Sequence, residues 1–219
     1  HDALPIFSSV RQLVPLGDDD LLFRNQSYTE PPAWYTFKAK SKTPVEKTVM
    51  AMTSNASFED AEAVRETCTS KDGTKVPINI LRKKGTKLDG SNPVLLTGYG
   101  GYGISLQPGL NPVVRVWLDQ GGVFAVANLR GGGEFGEEWH SAGNLAKKQN
   151  VFDDFHACAK YVVEAKYTNP QKLAIIGGSN GGLLMGAEVV QHPEAFKAVV
   201  AAVGIYDMLR VELTPNGAF

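Results

Sequence analysis

Two patterns of apolar and polar positions divide the chain, and the change lies near residues 45 to 60. Before that point, short apolar segments at residues 12–14, 21–24 and 34–37 are separated by the turn residues Gly17-Asp18-Asp19-Asp20 and Pro31-Pro32. Short runs of strand-forming residues bounded by Gly, Asp and Pro are typical of antiparallel strands. This part of the chain therefore predicts short antiparallel strands with no helix among them.

After residue 60, apolar strand-like runs alternate with helical segments, and a hairpin is expected around Lys71-Asp72-Gly73. The apolar runs are residues 93–96, 122–127, 173–176 and 198–203. A helix is predicted over residues 152–166, with one apolar face made by Phe152, Phe155, Ala159 and Val162. Continuous apolar strands that alternate with amphipathic helices indicate a mostly parallel sheet buried on both faces. The predicted fold class is α/β, with helices on both faces of the sheet.

A glycine-flanked serine follows the third of these apolar runs. Gly177-Gly178-Ser179-Asn180-Gly181-Gly182 lies between residues 173–176 and a helix-forming stretch at 183–190. This is the G-x-S-x-G pattern in the context that a nucleophile elbow of an α/β-hydrolase requires. The serine of an elbow occupies a strained turn, where side chains at Gly177 and Gly181 would clash with the crossing backbone. Ser179 is therefore the candidate nucleophile, and the alternative is a purely structural glycine turn.

Two other glycine-rich loops follow predicted strands. Residues 98–103 fit the G-x-G-x-x-G pattern of dinucleotide sites, but that fingerprint must open a helix, whereas Pro108, Gly109 and Pro112 follow here. A loop at this place in an α/β-hydrolase supplies the second half of the oxyanion hole, which is the preferred interpretation. The loop at residues 130–134 could bind phosphate through Arg130, but its position after a strand favours a role in shaping the active-site region.

Composition narrows the function classes further. The chain is 43% hydrophobic and carries 22 basic and 23 acidic residues, so its net charge of −1 favours neither nucleic acid nor an anionic membrane as partner. Cys68 and Cys158 have neither disulfide nor metal-ligand spacing and are interpreted as reduced thiols. No metal and no cofactor is predicted. No apolar run approaches the roughly 20 residues that span a bilayer, and the expected location is the cytoplasm or the periplasm.

Several longer motifs resemble, in the same order, those of the prolyl oligopeptidase family of serine peptidases. They are Gly98-Tyr99-Gly100-Gly101-Tyr102, residues 128–136, Trp139-His140, Lys148-Gln149-Asn150 and the segment around Ser179. The resemblance implies an α/β-hydrolase domain preceded by the last blade of a β-propeller, with both ends truncated. Residues 7–50 are then the end of the propeller, residues 51–219 are the N-terminal and central part of the catalytic domain, and residues 1–6 are a non-native, adaptor-derived segment.

The resemblance also implies roles for individual residues. Ser179 would form an acyl-enzyme, and the backbone N–H of Asn180 and the hydroxyl of Tyr99 would be the oxyanion-hole donors. Tyr102 and Ile205 occupy positions where the family has phenylalanine and valine in the apolar pocket for proline. The expected activity is hydrolysis of short peptides on the C-terminal side of proline. Asn180 and Tyr99-Gly100-Gly101 favour this prolyl type over the branch with a basic P1 preference.

The general base of such an enzyme is expected after the serine, because the chain order in this fold is Ser, then Asp or Glu, then His. His140 and His156 precede Ser179, His192 follows it too closely, and Asp207 corresponds to a structural aspartate. We therefore expect the Asp and His beyond residue 219, and we expect the chain alone to be inactive and insoluble. A basic P1 preference, an esterase-like hydrolase and a catalytically dead binding module are the open alternatives.

Overall fold

A computed structural model describes residues 7–43 and 45–213 of the chain. The chain divides into two compact units. The first contains the described residues up to Val64, together with residues 81–85 and 107–120, and the second contains residues 65–80, 86–106 and 121 onward. The interpretation of residues 1–6 as an adaptor-derived segment lies outside the described residues.

The first unit contains a four-stranded sheet with the order β1-β2-β3-β4. Its strands are Ser8–Gly17, Asp20–Ser27, Ala33–Phe37 and Val45–Ala51. Each pairs antiparallel with the next, as the sequence predicts. The predicted turn joins β1 to β2 through Asp18 and Asp19, both at positive φ. Phe23 and Tyr35 stack with ring centroids 5.7 Å apart and form the core of this sheet with Ala33.

The first unit also contains a helix that the sequence analysis missed, α1 at Pro112–Asp119. The sequence predicts a loop through Pro108, Gly109 and Pro112, but Pro112 occupies the first turn of the helix, where a missing N–H costs nothing. The side chain of Asn111 caps the helix by accepting a hydrogen bond of 3.0 Å from the backbone of Val113. Val114 and Leu118 form its buried face.

A six-stranded sheet with the order β10-β9-β7-β8-β6-β5 has most of its residues in the second unit. The strands are Ala61–Thr69 (β5), Lys75–Lys83 (β6), Val94–Gly98 (β7), Val123–Ala127 (β8), Leu173–Gly178 (β9) and Ala198–Ala202 (β10). The β7–β8, β7–β9 and β9–β10 pairs are parallel. Leu96, Ala125 and Ile175 are fully buried in the centre of this sheet. The α/β class and the mostly parallel sheet are therefore confirmed.

In the described part of the chain, three α-helices accompany this sheet: α2 at Glu137–Ser141, α3 at Gln149–Glu164 and α4 at Asn180–Gln191. The helix α3 begins three residues before the predicted start, and its buried face includes Val151 and Asp154, whereas Phe152 is only half-buried. Cys158 of α3 and Cys68 of β5 are buried free thiols. Within the described ranges, no helix has the length and apolar character needed to cross a bilayer.

Candidate active site

Ser179 occupies a sharp turn between the last residue of β9 and the first residue of α4. Its backbone angles are φ 57° and ψ −120°, in a region that costs a residue with a side chain on the order of 1–3 kcal/mol. Two backbone hydrogen bonds of 3.0 Å hold this turn, from Ser179 to the carbonyl of Ala202 and from Leu183 to the carbonyl of Ser179. The serine is exposed. The turn thus presents its hydroxyl group at the carboxyl end of a buried parallel strand.

The glycines of the elbow lie where backbone segments approach each other closely. A Cβ on Gly177 would overlap the carbonyl group of Gly181, and a Cβ on Gly181 would lie 2.9 Å from the carbonyl oxygen of Gly98. Gly182 faces the carbonyl oxygen of Ala202 at 2.5 Å from the position of its missing Cβ. The strand, the turn and the helix can therefore meet at this distance only without side chains at these positions.

Asn180 is the first residue of α4, and its backbone N–H and its side-chain amide make different contributions to the site. The first N–H groups of a helix have no partner within the helix, and they carry the positive end of its dipole. The side-chain amide is buried and donates to the carbonyl oxygen of Tyr99. The ring of Tyr99 lies beside Gly181, where Cδ2 is 3.8 Å from the position of the missing Cβ. Asn180 therefore fixes the loop that carries Tyr99 against the start of the helix.

Lys148 completes this polar cluster, and the sequence analysis gave it no role. Its ammonium group donates to the carbonyl oxygen of Gly100 at 2.9 Å and to Oδ1 of Asn180 at 3.0 Å. Burial lowers the pKa of Lys148 to about 8. In the sequence, the one indication that Lys148 belongs to the site is its place in the Lys148-Gln149-Asn150 motif. Lys148 thereby ties the Gly98–Gly103 loop to the residue that follows the serine.

The loop at residues 98–103 packs backbone against backbone and opens no helix. A Cβ on Gly101 would lie 2.6 Å from Nδ2 of Asn180, and one on Gly131 would lie 2.6 Å from the carbonyl oxygen of Gly100. Gly103 donates to the carbonyl oxygen of Gly131 at 3.0 Å. The next helix along the chain begins only at Pro112. This geometry differs from that of a dinucleotide fingerprint, whose glycines open directly into a helix.

Arg130 is committed to protein carboxylates. It donates to Asp154 at 2.6 and 2.9 Å, to Asp72 at 2.5 and 3.3 Å and to the hydroxyl of Ser70 at 3.3 Å. The arginine and Asp154 are buried, and the hydrogen bonds from Arg130 lower the pKa of Asp72 to about 2. These contacts support the interpretation that Arg130 shapes its loop, because every nitrogen of the guanidinium group already has a carboxylate partner.

Tyr102 and Ile205 remain at the surface. Tyr102 lies in the loop after β7 and is 64% exposed, and Ile205 lies after β10 and is 38% exposed. Among residues 7–43 and 45–213, no hydrogen bond or ring contact joins either side chain to Ser179. The structure thus gathers Ser179, Asn180 and Tyr99 but leaves the two expected pocket residues open to solvent.

The histidines of the described residues have other contacts than Ser179. Nδ1 of His140 lies 3.2 Å from Oε1 of Glu137, and the rings of His156 and His192 stack with centroids 3.5 Å apart. Asp207 pairs with Arg210 at 2.7 Å. No histidine in the described part of the chain is hydrogen-bonded to the serine. The stacked pair lies next to the buried Glu188, a combination that the sequence analysis did not foresee.

Comparison with known proteins shows similarity to prolyl endopeptidases and prolyl oligopeptidases. The prolyl oligopeptidase family model matches residues 109–219. A prolyl endopeptidase of Elizabethkingia miricola is 40% identical over 203 residues, which are 92% of this chain and 28% of that protein. Prolyl oligopeptidase A of Galerina marginata is 51% identical over 154 residues, which are 69% of this chain and 21% of that protein.

Comparison with solved structures gives the same family as comparison of sequences. The structure of a post-proline cleaving enzyme from Rickettsia typhi superposes with a TM-score of 0.85 at 35% identity, covering 98% of this chain and 31% of that one. The chain therefore spans about a third or less of the length of these relatives. The order of the motifs, the fold and the family match over half of the sequence lead to one conclusion: the chain belongs to the prolyl oligopeptidase family.

Proposed function

We propose that the protein carrying this chain is a serine peptidase that hydrolyses short peptides on the C-terminal side of proline. The observation that carries the proposal is the conformation of Ser179, which is exposed at φ 57° between a buried strand and the first N–H of α4. Such a turn is costly, and a strained residue at this place fits a nucleophile better than a structural turn. The names of the relatives, prolyl endopeptidase and prolyl oligopeptidase, support the substrate class.

In the proposed reaction, the hydroxyl oxygen of Ser179 forms a bond with the carbonyl carbon of the substrate. The peptide C–N bond then breaks, and the serine proton passes through a general base to the leaving amine. The backbone N–H of Asn180 and the hydroxyl of Tyr99 would stabilise the oxyanion of the tetrahedral intermediate. Water then hydrolyses the acyl-enzyme and frees the serine. Gly177 and Gly181 allow the turn, and Tyr102 and Ile205 would border the proline side chain.

The described residues offer no base to Ser179, since His140, His156 and His192 are engaged elsewhere. Under this proposal the Asp and His come from outside these 219 residues. We expect the isolated chain to be inactive for that reason. Loss of a triad serine or histidine costs about 10⁶ in kcat in another serine peptidase. Residues 7–50, which hold the antiparallel strands up to all but the last residue of β4, are then the end of a β-propeller, and residues 51–219 are part of the catalytic domain.

The test uses the protein expressed from its full open reading frame. A fluorophosphonate probe should label the wild-type protein and the control variant Ser141→Ala, whose hydroxyl only bonds Glu137, but not Ser179→Ala. Chromogenic peptides with proline or lysine at P1 then measure specificity through kcat/KM. Labelling with preferential cleavage after proline supports the proposal, whereas preference for lysine moves the protein to the basic-P1 branch. Hydrolysis of small esters without peptides indicates an esterase, and an unlabelled Ser179 indicates a binding module.

A further inference from the structure

A cleft on the second unit borders an unusual group of side chains. The cleft has a volume of about 510 Å³. Its walls include His156 and Asp153 of α3, His192 just after α4, and Lys71. Glu188 of α4 stands behind the two histidines, with Oε2 3.7 Å from Nδ1 of His156. None of these residues takes part in the chemistry proposed for Ser179.

Glu188 is the decisive member of the group. Its side chain is fully buried, and neither carboxylate oxygen has a hydrogen-bond partner. Nδ1 of His156 is likewise buried without a hydrogen bond, because 3.7 Å is too long for one. A buried carboxylate without hydrogen bonds is costly unless a positive charge compensates it. A cation bound among these atoms would give both oxygens of Glu188 and the nitrogen of His156 a partner.

The spacing of the three residues fits a metal site. His192 directly follows α4, where its backbone N–H donates to the carbonyl oxygen of Glu188 at 2.8 Å, and His156 faces Glu188 from α3. One ligand atom from each residue lies within 4.8 Å of the other two. Two imidazoles and one carboxylate form a ligand set that proteins use for zinc, with bonds of about 2.0–2.2 Å and the fourth position open. The two rings are stacked in this structure, so binding of an ion requires them to turn toward each other at the cleft wall.

We propose that His156, Glu188 and His192 bind a divalent transition metal ion of the zinc type, which joins α3 to the C-terminal end of α4. Both histidines line the cleft, so a water molecule from it can complete the coordination. Glu188 lies nine residues after Ser179, so the ion is about 14 Å from the elbow along the helix axis. The ion therefore stabilises the helix that carries the elbow and takes no part in hydrolysis.

A simpler explanation exists for the same side chains. A protonated His156 could form an ion pair with Glu188, with His192 stacked on its outer face. That arrangement would satisfy the charge of Glu188 but leave one of its oxygens without a partner. It also predicts no affinity for zinc, so the two explanations differ in one direct measurement.

The experiment titrates zinc into the untagged, metal-free protein expressed from its full open reading frame, in competition with a chromophoric chelator. One equivalent of zinc per chain is expected, with a rise in Tm. His156→Ala, His192→Ala and Glu188→Gln should each lower the affinity by at least the 10–100-fold that loss of a supporting bond to a metal ligand costs. The matched control is His140→Ala, because His140 pairs with Glu137 and is not one of the three proposed ligands, so zinc binding should be unchanged. Cobalt(II) bound in place of zinc should show the visible absorption of tetrahedral coordination.

Two results would overturn the proposal. The first is a wild-type protein that binds no zinc under competition. The second is zinc binding that survives all three substitutions, since the ion would then lie elsewhere. Far-UV circular dichroism of each variant identifies loss of fold. If an alanine variant fails to fold, Glu188→Gln still tests the proposal, because it keeps the volume of the buried side chain. Ser179→Ala should bind zinc as tightly as the wild type, so failure of the metal site and failure of the peptidase proposal remain distinguishable.

Discussion

Arg130 donates to both carboxylate oxygens of Asp154, and neither side chain reaches solvent to any extent, with exposed fractions of 6% and 0%. The pair connects the loop after β8 to the helix α3. Two charges removed from water in this way are balanced only while both are present. Asp154 also accepts a hydrogen bond of 3.1 Å from the backbone N–H of Arg130. The pair therefore holds the loop in one position relative to α3.

Replacement of one partner of this pair should strongly destabilise the folded protein. We expect Arg130→Met to lower the free energy of unfolding by about 3–5 kcal/mol, because Asp154 is then a buried charge without compensation. Urea denaturation measures the change. The control is Lys38→Met, which breaks the exposed pair with Glu46 and should cost less than about 1 kcal/mol. Equal losses in the two variants would show that the buried pair does not stabilise the fold.

Asp72 should make the stability of the protein sensitive to acid. Hydrogen bonds from Arg130 lower the pKa of Asp72 to about 2, so the folded state binds its proton less readily than the unfolded state does. The stabilisation is present above the unfolded value near 4 and is lost as the pH falls toward 2. Urea denaturation between pH 6 and pH 2 should show the advantage of wild type over Asp72→Asn shrinking in that window. In an Arg130→Met background the pH dependence of this difference should become smaller, and the hydrogen bond from the backbone N–H of Thr74 should account for the remainder.

The strands and the elbow were predictable because each has a strong local cause. A short continuous apolar run followed by glycines, such as Leu173-Ala174-Ile175-Ile176, is typical of a strand buried on both faces, and Gly177 and Gly181 mark the place where backbones cross. The helix α1 was missed because proline was interpreted as a helix breaker, although Pro112 occupies the first turn of the helix, where proline is favoured.

Other features depend on contacts between residues far apart in the sequence. Lys148 meets Asn180 across 32 positions of the chain, and only the tertiary fold makes its ammonium a link between two loops. The burial of Glu188 is also not predictable from the sequence, because an acidic residue in a helix is ordinarily assigned to the solvent-facing side. Its burial beside His156 follows from the packing of α3 on α4, which the periodicity of either helix alone does not specify.

Lys148 should act as a positioning residue for the proposed oxyanion hole. Lys148→Met removes the donor to Gly100 and Asn180, so the loop carrying Tyr99 should shift. We expect fluorophosphonate labelling of the full-length protein to slow by about 10-fold, less than the 10²–10³ that follows loss of a direct oxyanion donor. The control Lys147→Met alters an exposed neighbour and should label at the wild-type rate.

At alkaline pH, the free energy of unfolding should depend on the protonation of Lys148. Burial lowers its pKa to about 8, so between pH 8 and the unfolded value near 10.4 the unfolded state binds more protons than the folded state. The free energy of unfolding therefore rises with pH through this window, relative to Lys148→Met. Urea denaturation at pH 7, 9 and 10.5 measures it. A wild-type curve parallel to that of Lys148→Met would show that the lysine is not desolvated as the structure indicates.

The two adjacent glycines before Ser179 offer a matched test of the elbow. Gly177→Ala places a Cβ against the carbonyl group of Gly181, and neither backbone segment can move without displacing the serine. We expect a loss of about 1–3 kcal/mol in the free energy of unfolding, as for overpacking in a core, together with loss of probe labelling. At Gly178 the added Cβ would have its nearest neighbour, the carbonyl oxygen of Ala202, at 3.7 Å, an ordinary contact distance. Gly178→Ala should therefore keep both stability and labelling, and if it is as damaging as Gly177→Ala, close approach of the backbone is not the reason for glycine at position 177.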